Sequence, residues 1–301
     1  MHGWIILDKP LGLGSTQGVS AVKRVLRQGG YGKGIKVGHG GTLDPLATGV
    51  LPIAVGEATK LAGRMLDSDK VYDFTIRFGV QTSTLDAEGE SVAESDVRPT
   101  RAALEAVLPR FTGPIEQVPP AYSALKINGE RAYDLARAGE EVVLASRAVT
   151  IHSLHSSPSS LGEGEDLEEA TLTAHVSKGT YIRSLARDIA LALGTVGHVT
   201  MLRRIKAGPF TLAPAISLDK LNEMGQARTL EQILLPLRAG LDDIPALALD
   251  PDQAGALRQG RVLVGIAVDD GQYFAMLGET PVALVEALDA NVRVVRGFNL
   301  D

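Results

Sequence analysis

The sequence predicts an α+β protein, on three observations. Strand-like and helix-like segments are interleaved without the regular period of a doubly wound sheet. Two stretches, YDFTIRFG (72–79) and ATLTAHVS (170–177), alternate apolar and polar residues as half-buried strands do. Around Pro245–Pro251 the pattern changes to short strands and turns, so a small β-rich unit is expected over 246–301, after a main domain over 1–245. With 301 residues, 45% of them hydrophobic, the chain has ample material for a packed core.

The elements follow in order. WIILDKP is a short apolar run stopped by Pro10 and Gly12, and reads as a strand. Ser15 or Thr16 can cap the next helix, which carries Val19, Val22 and Leu26 on one face and Lys23, Arg24 and Arg27 off it. LATGVLPIAVG (46–56) is apolar throughout, as a buried element is. RAALEAVLPRF (101–111) and ERAYDLARAGE (130–140) are predicted helices, the second ended by Gly139. HSSPSSLGEGEDLEE (155–169) reads as an exposed loop, and YIRSLARDIALALG (181–194) as an amphipathic helix ended by Gly194. LRQGRVLVGIAVDDGQYFAML (257–277) reads as short strands joined by turns.

Composition removes several classes of chemistry. The absence of cysteine excludes disulfides, thiolate catalysis and Cys-ligated metal sites. No G-x-x-x-x-G-K-[ST], complete G-x-G-x-x-G or H-E-x-x-H occurs. His152 and His155 stand without acidic ligands of convincing spacing, so no metal site is expected. The start, MHGWIILDKP, has no basic segment leading into a long apolar one, and no run approaches about 18 apolar residues. A soluble, cytoplasmic, monomeric protein without membrane contact is expected.

Thirty basic against 36 acidic residues give a net charge of -6, which argues against a nucleic-acid partner. The charge is uneven, however. Residues 1–66 hold eight basic and three acidic residues, and 175–210 hold six and one, so both blocks are +5. Residues 67–174 are -10 and 211–301 are -6. Convergence of the two basic blocks would build a positive cleft centred on Asp44.

The densest chemistry lies in 36–60. Gly38, Gly40 and Gly41 precede Thr42-Leu43-Asp44-Pro45, and glycines permit close approach to a ligand. Asp44, at the lip of the apolar run, can serve as nucleophile or acid/base group, or belong to an ordinary Asp-Pro turn. In 175–206, Ser177-Lys178-Gly179 lead into a helix whose first turn carries Arg183. The helix dipole disfavours a cation there, so Arg183 calls for an anion: a carboxylate, a phosphate, or a surface ion pair. Leu202-Arg203-Arg204-Ile205-Lys206 is a basic cluster of the kind usually found on a solvated face. Tyr72, one of six tyrosines, can stack on a base or pack in the core.

Five segments together carry a resemblance: LDKPLGLGS (7–15), GHGGTLDPLATGVLPIAVGEATK (38–60), KVYDFTIRFGVQTSTLDAEGE (70–90), PPAYSALKINGERAYDLARAGE (119–140) and SKGTYIRSLARDIALALGTVGHVTMLRR (177–204). In this order they resemble the motif set of the TruB-type tRNA pseudouridine synthases. The resemblance implies a pseudouridine synthase fold, with a mixed, largely antiparallel central sheet flanked by helices and a PUA-like RNA-binding domain at the C-terminal end. It implies isomerisation of a uridine in the T-loop of tRNA, conventionally position 55, with no cofactor. The base is flipped out, its N-glycosidic bond is broken, and the uracil is rejoined through C5.

On the same resemblance, Asp44 matches the nucleophile, Tyr72 the tyrosine that stacks on the flipped base, and Arg183 the arginine paired with the aspartate. His39 matches a histidine that helps hold the opened loop. Lys9, Tyr181 and Leu202 match the pocket and its support, and Gly41, Thr42, Leu43 and Lys178 complete the expected substrate-binding set. Val176 stands where cysteine is common, a change expected to be neutral, and 155–169 looks like an acidic insertion remote from RNA. Two rival readings are an RNA-folding helper with dispensable catalysis and a carboxylate glycosidase. The second would require another catalytic acid.

Overall fold

The computed structural model describes residues 1–300 apart from 33, 124, 128, 141, 143 and 157–165. Its centre is a mixed sheet of ten strands. Along the main path the order is Leu235–Pro236, Gly3–Lys9, Ala47–Val55, Gly197–Ala207, Lys70–Phe78, Glu169–Val176, Arg147–Ser156 and Gly113–Gln117. Only the pairing of Ala47–Val55 with Gly197–Ala207 is parallel. The expected mixed, largely antiparallel sheet is present. Its parallel step joins the two basic blocks directly, with Leu202 opposite Ala47 and Arg204 opposite Gly49.

The period of two along the first strands explains how both sheet faces are covered. Ile5, Leu7, Leu51 and Ile53 face the helix Ser15–Gln28, whose Val19, Val22 and Leu26 pack on them. Trp4, Ile6, Val50 and Ala54 face the other way, into a cluster containing Phe210, Leu237, Phe274, Met276 and Phe298. Farther along the sheet, Ile182, Leu185, Ala186 and Ile189 of the helix Ile182–Ala192 pack on Phe74, Ile76 and Val199. Side chains of Leu, Ile, Val and Phe size each contribute about 2 kcal/mol when fully buried.

The C-terminal part is a five-stranded sheet ordered Ala246–Ala248, Gly271–Leu277, Thr280–Leu288, Asn291–Gly297 and Leu263–Val264. Alongside the short strands and turns expected of a β-rich unit it contains a helix, Pro251–Arg258. Asp250 caps this helix by accepting from Gln253 N at 2.7 Å, and Pro251 sets its first turn.

Other expectations need adjustment. The first helix is capped by Gly14, whose N–H donates to Gln17 Oε1 at 2.7 Å, rather than by Ser15 or Thr16. Ser15 serves the Asp44 turn instead. The 101–111 helix is α-helical only over Arg101–Val107 and continues as a 3-10 turn, Leu108–Phe111, with Pro109 near its start. In 130–140 the helix is Ala132–Arg137, because Glu130–Arg131 form one arm of a hairpin. Of the loop expected over 155–169, residues 157–165 lie outside the described residues. His155, Ser156 and Glu169 belong to strands. His152 is not without an acidic neighbour, since the sheet brings Asp69 to within 3.1 Å of it from far along the chain. Among the described residues, no helix is long and apolar enough to cross a membrane.

Candidate active site

Asp44 occupies the turn between the strands Val37–His39 and Ala47–Val55. The turn is fixed from three sides. Leu43 N–H donates to Ser15 Oγ at 2.8 Å, and the Ser15 hydroxyl donates to Leu43 O at 3.0 Å. Arg204, 1% exposed, donates through Nη2 to Gly41 O, through Nη1 to Thr42 O and through Nε to Val50 O, at 3.1, 3.2 and 2.8 Å. Lys9, fully buried, donates to Pro45 O at 3.3 Å and to the carbonyls of Pro10 and Leu13. Burial lowers the Lys9 ammonium from its ordinary 10.5 to about 8, with the Asp44 carboxylate opposing and Arg204 adding to the shift. Ala47 N–H donates to Asp44 O at 3.0 Å, so the Asp-Pro turn is real while the Asp44 side chain is left for other work.

Close approach explains two glycines. Gly49 has φ +101°, and a Cβ there would meet Arg204 O at 2.2 Å. Gly41, at φ +137°, lies against the Arg204 guanidinium.

Arg183 has the anionic partner that its place in the first helical turn demanded, and it has two. Nη2 lies 3.0 Å from Asp44 Oδ2, and Nη1 lies 3.6 Å from Asp86 Oδ2. The guanidinium, buried at 7% exposure, also donates to Thr84 O at 2.9 Å and Tyr122 O at 3.0 Å. Asp86 accepts from the Thr84 hydroxyl and from Glu88 N at 3.0 Å. It was not among the expected site residues, although it sits in the quoted TLDAEGE segment.

Two cavities meet at Asp44. One, of about 200 Å³, is lined by Thr42, Leu43, Asp44, Tyr72, Tyr181, Arg183 and Leu202. The other, of about 220 Å³, is lined by Asp44, Thr84, Asp86, Tyr122, Tyr133 and Arg183. Tyr72 projects from Lys70–Phe78, opposite Ala174 and Arg204. Tyr181 opens the helix Ile182–Ala192, and its N–H donates to Gln117 Oε1 at 2.8 Å. The carboxylate of Asp44, 45% exposed, therefore stands at the edge of a space with aromatic walls, oriented by a buried guanidinium.

His39, Gly41 and Lys9 line neither cavity. His39 Nδ1 accepts from Gly41 N at 3.4 Å, and burial together with Arg204 lowers its imidazole from the ordinary 6.5. Lys178 is exposed, pairs with Asp67 at 3.0 Å and lines neither cavity. The two basic blocks converge as expected, but the cleft is not basic at its centre. Lys9, Arg183 and Arg204 are spent on carbonyls and carboxylates, while Asp44, Asp86 and Glu88 face the space. Among the described residues, the exposed cations of these blocks are Lys23, Arg24 and Arg27 on the first helix, Lys36 and Lys178 between elements, and Lys206 on the central strand.

Residues 23–182 match the model of the TruB family pseudouridylate synthase N-terminal domain, and residues 183–242 match the tRNA pseudouridylate synthase B C-terminal domain. The chain belongs to the TruB family. A tRNA pseudouridine synthase B of Novosphingobium aromaticivorans is 70% identical over 300 residues, covering 100% of this chain and 98% of that protein. One of Zymomonas mobilis is 61% identical, covering 99% and 96%. Among solved structures, that of an H/ACA ribonucleoprotein bound to a substrate RNA containing 2'-deoxyuridine shares the fold. Its TM-score is 0.73 at 23% identity, covering 99% of this chain and 85% of that one. As a TruB-family enzyme, the chain is an isomerase that converts uridine to pseudouridine in tRNA.

Proposed function

We propose that the uridine isomerised lies in the T-loop of tRNA, conventionally position 55, and that Asp44 is the nucleophile acting on it. The observation that carries this reading is the Asp44 carboxylate at the junction of two cavities, held by buried Arg183. The cavity of about 200 Å³ suits a single base flipped out of its stack, with Tyr72 and Tyr181 as aromatic walls and Leu202 as an apolar one. Asp44 makes a transient bond to the nucleotide, the N1–C1′ bond breaks, the uracil turns, a C5–C1′ bond forms, C5 gives up its proton, N1 takes one up, and the bond to Asp44 is broken again, so the product is an isomer of the substrate. Tyr72, which lines the same cavity as Asp44, stacks on the flipped base and serves in that proton's removal.

Arg183 orients Asp44. Asp86 acts through Arg183 as a positioning residue, since its Oδ1 accepts from both Thr84 and Glu88 while its Oδ2 faces the guanidinium. That occupancy also disfavours the glycosidase reading, which needs a free second acid. Thr42, Leu43 and Gly41 shape the turn, Lys9 and His39 support it from behind, and Lys178 serves RNA outside the pocket. Residues 1–245 act as the catalytic domain and 246–301 as a PUA-like RNA-binding domain, in a cytoplasmic monomer.

Asp44→Asn, tested on an unmodified tRNA transcript, should lower isomerisation by more than about 10⁴-fold and leave tRNA affinity within a few-fold. Pseudouridine mapping should place the wild-type product in the T-loop. Retained turnover in the variant would remove Asp44 from its role, and product elsewhere in the tRNA would overturn the T-loop assignment.

A further inference from the structure

Away from the Asp44 cleft, three neighbouring strands converge on a second constellation. Asp69 directly precedes Lys70–Phe78, His175 lies in Glu169–Val176, and His152 lies in Arg147–Ser156. Between Ile151 and Ser153 the register against Glu169–Val176 shifts, and His152 is the extra residue at that irregularity. A bulge of this kind re-aims a side chain. Here it leaves the His152 and His175 rings 4.7 Å apart, centre to centre. Both rings turn Nε2 toward one oxygen, Asp69 Oδ2, at 3.1 and 3.7 Å. The potential ligand atoms of all three residues lie within 4.8 Å of one another.

Those separations match a metal polyhedron. Bonds of about 2.1 Å in a tetrahedral zinc site place neighbouring ligand atoms roughly 3.4 Å apart, which the two observed distances bracket. Two imidazoles with one carboxylate suit a borderline dication, whereas calcium and magnesium favour oxygen-only ligands. Asp69 and His175 also line a cleft of about 590 Å³, together with Arg64 and Lys206, so a fourth position opens toward solvent. We propose that Asp69, His152 and His175 form a binding site for a transition-metal dication of the zinc class. It is distinct from the pseudouridine-forming pocket, and water or a small anion completes its coordination.

The test is a zinc titration of the full-length, metal-stripped protein against a chromophoric chelator. One equivalent should bind to wild type, and Asp69→Asn, His152→Gln and His175→Gln should each weaken that binding by more than about tenfold. A second measurement needs no variant. One equivalent of zinc should shift the ring signals of two of the six histidines in the NMR spectrum, those of His152 and His175. No zinc uptake by wild type, undiminished uptake by the His152→Gln/His175→Gln double variant, or shifts confined to other histidines would each overturn the proposal.

Discussion

The two walls of the Asp44 cleft are built by different means. On the Asp44 side, buried Lys9 and Arg204 grip main-chain carbonyls before and after the carboxylate, and Ser15 closes on Leu43 from both directions. On the opposite side, Tyr122, Ser123 and Tyr133 belong to a segment whose described contacts are largely local. Tyr133 N–H donates to Ser123 O at 3.0 Å, the Tyr122 and Tyr133 rings meet edge-on at 6.1 Å, and Arg137 lies 4.4 Å over Tyr133. Arg183, reaching Tyr122 O, ties the two walls together. One wall thus fixes the carboxylate before substrate arrives, at the expense of burying cations, and the other supplies surface for the substrate to meet.

Substitutions can sharpen or break that contrast. Arg183→Met removes the tie and strands Asp86 as a buried charge. Turnover should fall about 10³-fold and stability by about 3 kcal/mol, read from single-turnover kinetics and urea unfolding. Arg204→Met withdraws donors from three carbonyls, each worth about 1 kcal/mol or more when orphaned. It should lower turnover at least tenfold in protein that remains folded, although Arg204 lines neither cavity. Unchanged turnover would show that the Asp44 turn does not need its clamp.

Lys9 offers a pH signature on the same wall. Its folded value of about 8 lies below the ordinary 10.5, so between these pH values the unfolded chain holds the proton that the folded chain has lost. Stability from this group therefore rises with pH, by at most about 1.4 kcal/mol per unit. The stability advantage of wild type over Lys9→Met should widen from pH 8 to pH 10 in denaturant titrations, and a constant gap would contradict the burial of a titrating ammonium. The smallest effect is expected on the other wall. Tyr133→Ala should raise KM for tRNA about threefold and leave kcat unchanged. A hundredfold fall in kcat would erase the distinction between the walls.

Part of this constellation could be read before the fold was known: Asp44, Tyr72, Arg183 and Leu202 sit in dense segments, and the fold gathers all four around one cavity. The demand that a cation in a first helical turn find an anion was met by a carboxylate. What stayed hidden depended on strand register and on partners far along the chain. Leu202–Lys206 reads as a solvated cluster, but the alternation of a strand turns Arg204 inward to the Gly41 and Thr42 carbonyls and leaves Arg203 to pair with Asp8 at 2.9 Å. Asp86 gives no local sign of its place beside Asp44, because only the fold brings it to Arg183 and to the cavity. His152 lacks an acidic neighbour in sequence, and only the pairing of three strands brings Asp69 to it. The net charge misled in both directions, since the basic blocks do meet yet most of their central cations are consumed in holding backbone.

The parallel pairing of Ala47 with Leu202 also sets an order of assembly. A ribosome releases the Asp44 turn long before it releases the strand carrying Arg204. Until Gly197–Ala207 arrives, Ala47–Gly49 has an unpaired edge, the Gly41 and Thr42 carbonyls lack their donor, and Lys70–Phe78 has no strand linking it to Ala47–Val55. Bringing segments so distant together is slow because the loop-closure entropy is lost before the contacts form. A nascent chain stalled ahead of residue 197 would carry the complete Gly38–Pro45 sequence, with Lys9 and Ser15 already made, and still lack the Arg204 clamp on the turn of its aspartate.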